Sequence, residues 1–150
     1  MKALIEAVQN LLEPTPGIKY VDENWGQLDY YSPNFPVQWP CILIDINSAQ
    51  FSNIGMDKQL KPVNRQMSEY TLELRIANLK LTKTSAKSPQ SQKDFARSIW
   101  TLIEEVHELV QGFEPDENCG KLIRTGISRV PREDGVQEYA VMYSGTMNNV

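Results

Sequence analysis

Ten residues near the middle of the chain constrain its fold most. Met67, Glu69, Thr71, Glu73 and Arg75 take one set of alternate positions, and Tyr70, Leu72, Leu74 and Ile76 take the other. Successive side chains on a strand point to opposite faces, so this pattern dictates a strand with one apolar and one wet face. A half-wetted strand belongs in an antiparallel sheet, because parallel sheets are normally covered on both sides. A second strand is predicted over Pro40–Asn47, where Ile42, Ile44 and Ile46 alternate with Leu43 and Asp45. The two are expected to pair, with Ser48–Asn64, which contains Gly55 and Pro62, as a loop between them.

The flanks supply helices and a closing hairpin. Leu4, Ile5, Val8, Leu11 and Leu12 recur at helical spacing over Lys2–Glu13, and Pro14 and Pro16 end that helix. Ile18–Val21 reads as a short strand. A second helix is expected from Ser88 or Ser91 as N-cap to about Gln111, with Phe95, Ile99, Leu102, Ile103, Val106, Leu109 and Val110 as its apolar stripe and Gly112 as its C-cap. An acidic loop over Phe113–Gly120 follows it. Strands over Leu122–Val130 and Val136–Thr146 are joined by Pro131–Gly135, whose Asp-Gly is a hairpin turn signal. The tail from Met147 to Val150 is expected to fray. The order α-β-β-β-α-β-β predicts one α+β domain over residues 1–150, a mostly antiparallel sheet with two helices packed on one face.

Composition narrows the function. The 150 residues hold one His and two Cys, with a net charge of -4. Cys41, His107 and Cys119 stand too far apart for a zinc site, and no metal or cofactor is expected. Cys119 with His107 lacks the local signature of a nucleophile pair, and Cys41 reads as a buried small hydrophobe. Carboxylates such as Asp45, Glu104 and Glu105 are candidates for acid–base work, but paired acids on a helix are ordinarily a solvated face. No catalytic residue is assigned and the chain is not expected to be an enzyme. No apolar run approaches the ~20 residues of a membrane helix, and Lys2 followed by an amphipathic stretch with Glu6 does not read as a signal peptide. Residues 22–39 carry Trp25, Tyr30, Tyr31, Phe35 and Trp39 without any period. They read either as an aromatic cover over one edge of the core or as the lining of a cleft for a small molecule or peptide.

The mild net charge conceals polarity. Residues 57–97 hold nine cations against four acids, a local net of +5, and the remainder holds six against fifteen, a net of -9. Lys58, Lys61 and Arg65 precede the central strand, and Lys80, Lys83 and Lys87 follow it. Solvated loops are one reading of these six, and partner-binding residues that orient contact between like subunits are the sharper one. Head-to-tail contacts of that kind close into rings when the rotation allows. Nucleic acid is disfavoured, since no Gly-rich phosphate loop occurs and no aromatic interleaves the basic run.

The element order, the leading helix and the string Trp39-Pro40 followed by Cys-Ile-Leu-Ile-Asp-Ile resemble the tail terminator (tail completion) and neck-associated proteins of long-tailed phages. In that resemblance, Lys2–Glu13 is the opening helix and Pro40–Ile46 the strand that follows a loop. Residues 48–64, 91–111 and 122–146 take the places of a long hairpin arm, a helix and a closing hairpin. The resemblance implies an α+β fold and a homo-oligomeric ring, often a hexamer, that caps the tail tube and meets neck proteins. It implies a phage or prophage virion as the location, with assembly in the bacterial host cytoplasm, and no catalytic residues.

Overall fold

The computed structural model describes residues 1–30 and 36–150. It is an α+β fold in the order α1 (Lys2–Leu12), β1 (Tyr20–Glu23), a short 3-10 helix (Gln27–Asp29), β2 (Cys41–Met56), β3 (Asn64–Leu79), α2 (Gln90–Ala96), α3 (Ser98–Val110), β4 (Ile123–Val130) and β5 (Val136–Met147). The five strands form one sheet in the order β1-β2-β3-β5-β4. Every neighbouring pair is antiparallel except β1 with β2.

The alternation in β3 sorts its side chains as expected. Leu72, Leu74 and Ile76 join Ile42 and Ile44 of β2 and Val141 and Tyr143 of β5 on one face, where they pack with Leu4, Val8 and Leu12 of α1 and with Ile99, Ile103 and Val106 of α3. The amphipathic stripes of both helices close this face. On the opposite face a smaller cluster of Leu28, Cys41, Leu43, Ala77 and Val136 lies beside Val37 and Trp39. The segment after β1 therefore covers part of the second face, as an aromatic cover would.

Four expectations are corrected. Ser48–Asn64 is not a loop: β2 runs on to Met56 and β3 begins at Asn64, leaving only residues 57–63 as the turn. Apart from Ala49, which packs on the main core, that stretch is largely solvated on both faces, so its short alternation of Ala49 and Phe51 does not signal burial, and the cross-strand ladder makes it a strand. The second helix is broken at Arg97 (φ -92°, ψ 5°), giving three helices where two were expected. Neither Ser88 nor Ser91 caps α2; Ser88 Oγ meets Ser85 Oγ at 2.7 Å, and Pro89 takes the cap position. The tail does not fray. Val150 N donates to Gln66 O (3.1 Å), Gln66 N donates to Val150 O (3.3 Å), and Val150 packs against the main core.

Gly145 of β5 faces Tyr70 of β3 across the ladder. A Cβ there would lie 2.5 Å from Tyr70 Cζ and 3.0 Å from Leu122 Cδ2. The buried Tyr70 ring thus needs glycine as its partner, while its hydroxyl has no hydrogen-bond partner among the described residues. Gly145→Ala should lower unfolding free energy by ~1–3 kcal/mol through overpacking. Tyr70→Phe, which deletes only an unpartnered buried hydroxyl, should be neutral or stabilising. Denaturant titration of both variants checks the pair.

Candidate assembly interface

β3 is flanked by β5 only from Ser68 onward. Below that point the β2–β3 hairpin continues as an arm, Ser52–Met56 against Asn64–Met67, flanked on the β3 side only by the tail at Gln66. At ~3.3 Å per residue this is about 16 Å of ladder beyond the sheet, plus the turn. The turn is tied by Asp57 N to Val63 O (2.8 Å), and the Asp57 carboxylate accepts from Gln59 N (2.9 Å). Cross-strand, Gln66 Nε2 donates to Asn53 Oδ1 (2.9 Å). Its β3 strand is braced by the tail, where Arg65 also donates to Asn149 O. The arm is therefore a built element with its own hydrogen bonds.

Its surface is apolar. Phe51 is 51% exposed and Met56 70% exposed, and Ile54, Leu60 and Val63 are also exposed. Its outer edge is open as well. β1 pairs only with Cys41–Ile44, so Asp45–Met56 has no strand partner on that side among the described residues. From Ile46 to Met56 there is no charged residue and no proline. Natural edge strands are usually guarded by such residues, and here the guards are β-bulges between Ile46 and Ser48 and between Asn53 and Gly55.

The six candidate partner-binding residues fall into two groups. Lys58 and Lys61 are exposed in the arm turn, and Arg65, half-buried opposite Gly55 one pair from that turn, donates to Pro62 O at 3.2 Å. Lys80, Lys83 and Lys87 are exposed beyond the other end of β3, where Lys80 Nζ reaches Thr84 Oγ1 at 2.9 Å. The 16 residues of β3 separate the groups by roughly 45–50 Å at ~3.3 Å per residue, so they do not form one patch.

The aromatic segment is also divided. Trp25 and Tyr30 are exposed and meet edge to face at 5.7 Å between ring centroids. Trp39 is half-buried and, with Leu81 and Phe95, lines a groove of about 590 Å3 at the end of the sheet. Tyr31 and Phe35 lie outside the described residues. A second groove of about 430 Å3 runs between α3 and the β4 edge, lined by Trp100, Ile103, Glu104, Arg124 and Ile127. Sequence reasoning placed Ile103 in a buried stripe and missed this groove, because its exposure depends on β4 lying at the sheet edge.

The remaining reactive groups are committed to packing. Burial pushes the Cys41 thiol up to about 12, and burial raises Cys119 as well. His107 Nδ1 lies 3.2 Å from Tyr143 Oη, and desolvation, helped by the nearby Arg124 cation, holds its imidazole below the usual range. Among the described residues no group of three or more His, Cys, Asp or Glu is placed to hold a metal, and no helix is long and apolar enough to cross a membrane. No protein-family model and no curated protein matches the chain.

The lowered His107 value fixes a sign. Unfolded His takes up its proton near pH 6.5, before the folded residue does, so the stability held above that pH is lost as pH falls through the folded value. Denaturant midpoints should fall between pH 7 and pH 5, and His107→Gln should flatten that slope.

Proposed function

We propose that this chain is a structural subunit of a phage or prophage tail, resembling tail terminator or completion proteins that form a ring on the tail tube. The arm is the observation that carries assembly: a braced hairpin with exposed Phe51, Ile54 and Met56 and an open, uncharged edge. A surface of that kind gains by being covered, because both its apolar area and its free backbone groups favour a partner. The phage assignment rests on the likeness of element order and of the Trp39–Ile46 string. The partners on this reading are like subunits, the tail tube and neck proteins, and the place is the virion after assembly in the bacterial host cytoplasm. Buried thiols and a His107 hydrogen-bonded to Tyr143 suit a structural role over a catalytic one. Lys58, Lys61 and Arg65 sit where they would steer association, while Lys80, Lys83 and Lys87 would meet a different neighbour.

Native mass spectrometry and light scattering test this. A closed oligomer is expected, alone or on tube protein, and a monomer under both conditions overturns the ring. Reversing Lys58, Lys61 and Arg65 to Glu should weaken association at low salt by about tenfold or more, tenfold being ~1.4 kcal/mol.

A second reading is favoured by the groove of Trp39, Leu81 and Phe95. Apolar lining with a few polar rim groups such as Lys19, Asp94 and Glu105 is the usual make-up of a small-molecule or peptide site. A thermal-shift screen should then raise the melting temperature with a ligand, and Phe95→Ala should abolish that shift. A screen with no stabilising compound or peptide removes this reading.

A further inference from the structure

We infer that the arm of one copy docks on the β4 edge of a second copy, with the open edge of β2 adding to β4 and Phe51 and Met56 covering the α3–β4 groove beside Trp100 and Ile127. This rests on the assembly reading above and names the surfaces that meet.

Four independent features of the chain fit this occupant. The first is backbone chemistry. β2 and β4 are the two long open edges of the same sheet, on opposite sides of it. An edge without charge or proline can be completed by another strand, and β4, eight residues long and paired only with β5, turns the backbone groups of alternate residues outward.

The second is direction. β2, β3, β5 and β4 are successively antiparallel, so β4 runs opposite to β2. A copy generated by rotation about an axis along the strands presents its β4 antiparallel to β2 with the helix-bearing faces on the same side. On that face the arm carries Phe51, paired with Ser68, and Met56, paired with Asn64. On that same face β4 carries Ile127, paired with the core residue Val141, and it is 44% exposed.

The third is register. Within one chain β4 stands level with Cys41–Ser48, through the pairs Val130–Glu138, Glu138–Ala77 and Ala77–Cys41 at one end and Ile123–Ser144, Ser144–Thr71 and Thr71–Ser48 at the other. Reaching the open stretch of β2 takes a slide of about four to eight residues, ~13–26 Å, across four strand spacings of ~4.8 Å. That corresponds to a strand tilt of roughly 35–55°, which overlaps the range in which sheets close on themselves.

The fourth is charge. In and beside its turn the arm holds Lys58, Lys61 and Arg65 against Asp57 alone, whereas residues 98–120 hold Glu104, Glu105, Glu108, Glu114, Asp116 and Glu117 with no Lys or Arg. β4 itself carries Arg124 and Arg129, so the acidic partner for the basic arm is the α3 side of the groove and the loop after it, not the strand.

Cysteine cross-linking tests the contact, because the native thiols are buried and stay silent. Phe51→Cys and Ile127→Cys are made separately and mixed under mild oxidation. A disulfide-linked dimer is expected in the mixture and in neither variant alone, and the double variant should give a closed covalent ring. The charge contact is checked by Lys58→Glu with Lys61→Glu, which should dissociate the assembly, and by adding Glu104→Lys with Glu108→Lys, which should restore it. Oligomers that persist without the mixed disulfide, or Phe51→Cys that links only to itself, overturn this docking while leaving assembly intact. A chain that stays monomeric and unlinked overturns the docking too, and the assembly reading falls with it only when tube protein also fails to recruit the chain.

Discussion

The continuous ladder between β2 and β3 is what the rest of the molecule depends on. Its upper half, Cys41–Ile46 against Leu72–Ala77, is buried on both faces at Cys41–Ile44 and holds the core that α1 and α3 cover. Its lower end, Ser52–Met56 against Asn64–Met67, is mostly solvated and forms the arm. Because each strand is continuous through both halves, the arm cannot hinge freely at the sheet boundary, and its hydrogen bonds are anchored in the most buried part of the fold. A loop of the same length would have to give up the entropy of ordering at the moment of contact. The arm has already given it up on folding.

A second constraint holds the far face. Glu138 is 2% exposed, yet its carboxylate is gripped by Arg75 Nη1 at 2.7 Å and Arg132 Nη1 at 2.9 Å. Arg132 also binds Asp134, whose carboxyl its hydrogen bonds hold below the usual range, and donates to Leu28 O. One guanidinium in the β4–β5 turn thus ties the hairpin to the segment that follows β1. A buried carboxylate is tolerable only with such partners, since an unpaired one would cost several kcal/mol (roughly 3–5 where one member of a buried pair is removed). The turn signal Asp134-Gly135 fixed the hairpin, while the neighbouring arginine does the long-range work.

What the sequence made legible was whatever local periodicity controls. The alternation of Tyr70–Ile76, the stripe of Leu4, Val8 and Leu12, and the Asp-Gly turn each encode an element and the face it buries, and from them the α+β class and the β2–β3 pairing followed. The arm strands were hard to read because the alternation of Ala49 and Phe51 with Ser48, Gln50 and Ser52 is short and is interrupted by Asn53 and Gly55. The helix break at Arg97 was illegible because its apolar stripe runs through Phe95 and Ile99 without a glycine or proline to mark the interruption. Of the candidate residues, charge counting found Lys58 and Lys61 in the arm turn. It could not find Phe51, Met56 or Trp100, whose exposure is a property of where the sheet ends.

An open edge of this kind also poses a problem that the fold must answer. A strand that recruits a neighbour through its backbone has no intrinsic stopping point, and a head-to-tail contact that fails to close grows into a filament. Charge at the edge would stop growth but would also stop assembly, and Ile46–Met56 carries none. The two β-bulges offer the other solution. Each disrupts the ladder locally and increases the strand's twist, so a flat, indefinitely stacked pairing is penalised while one rotated approach is retained. The cations sit in and beside the turn of the arm, off the β2 edge, where on the assembly reading they would orient the approach without entering the ladder. On the assembly reading, backbone supplies the attraction, the bulges select the rotation, and charge sets which end meets which.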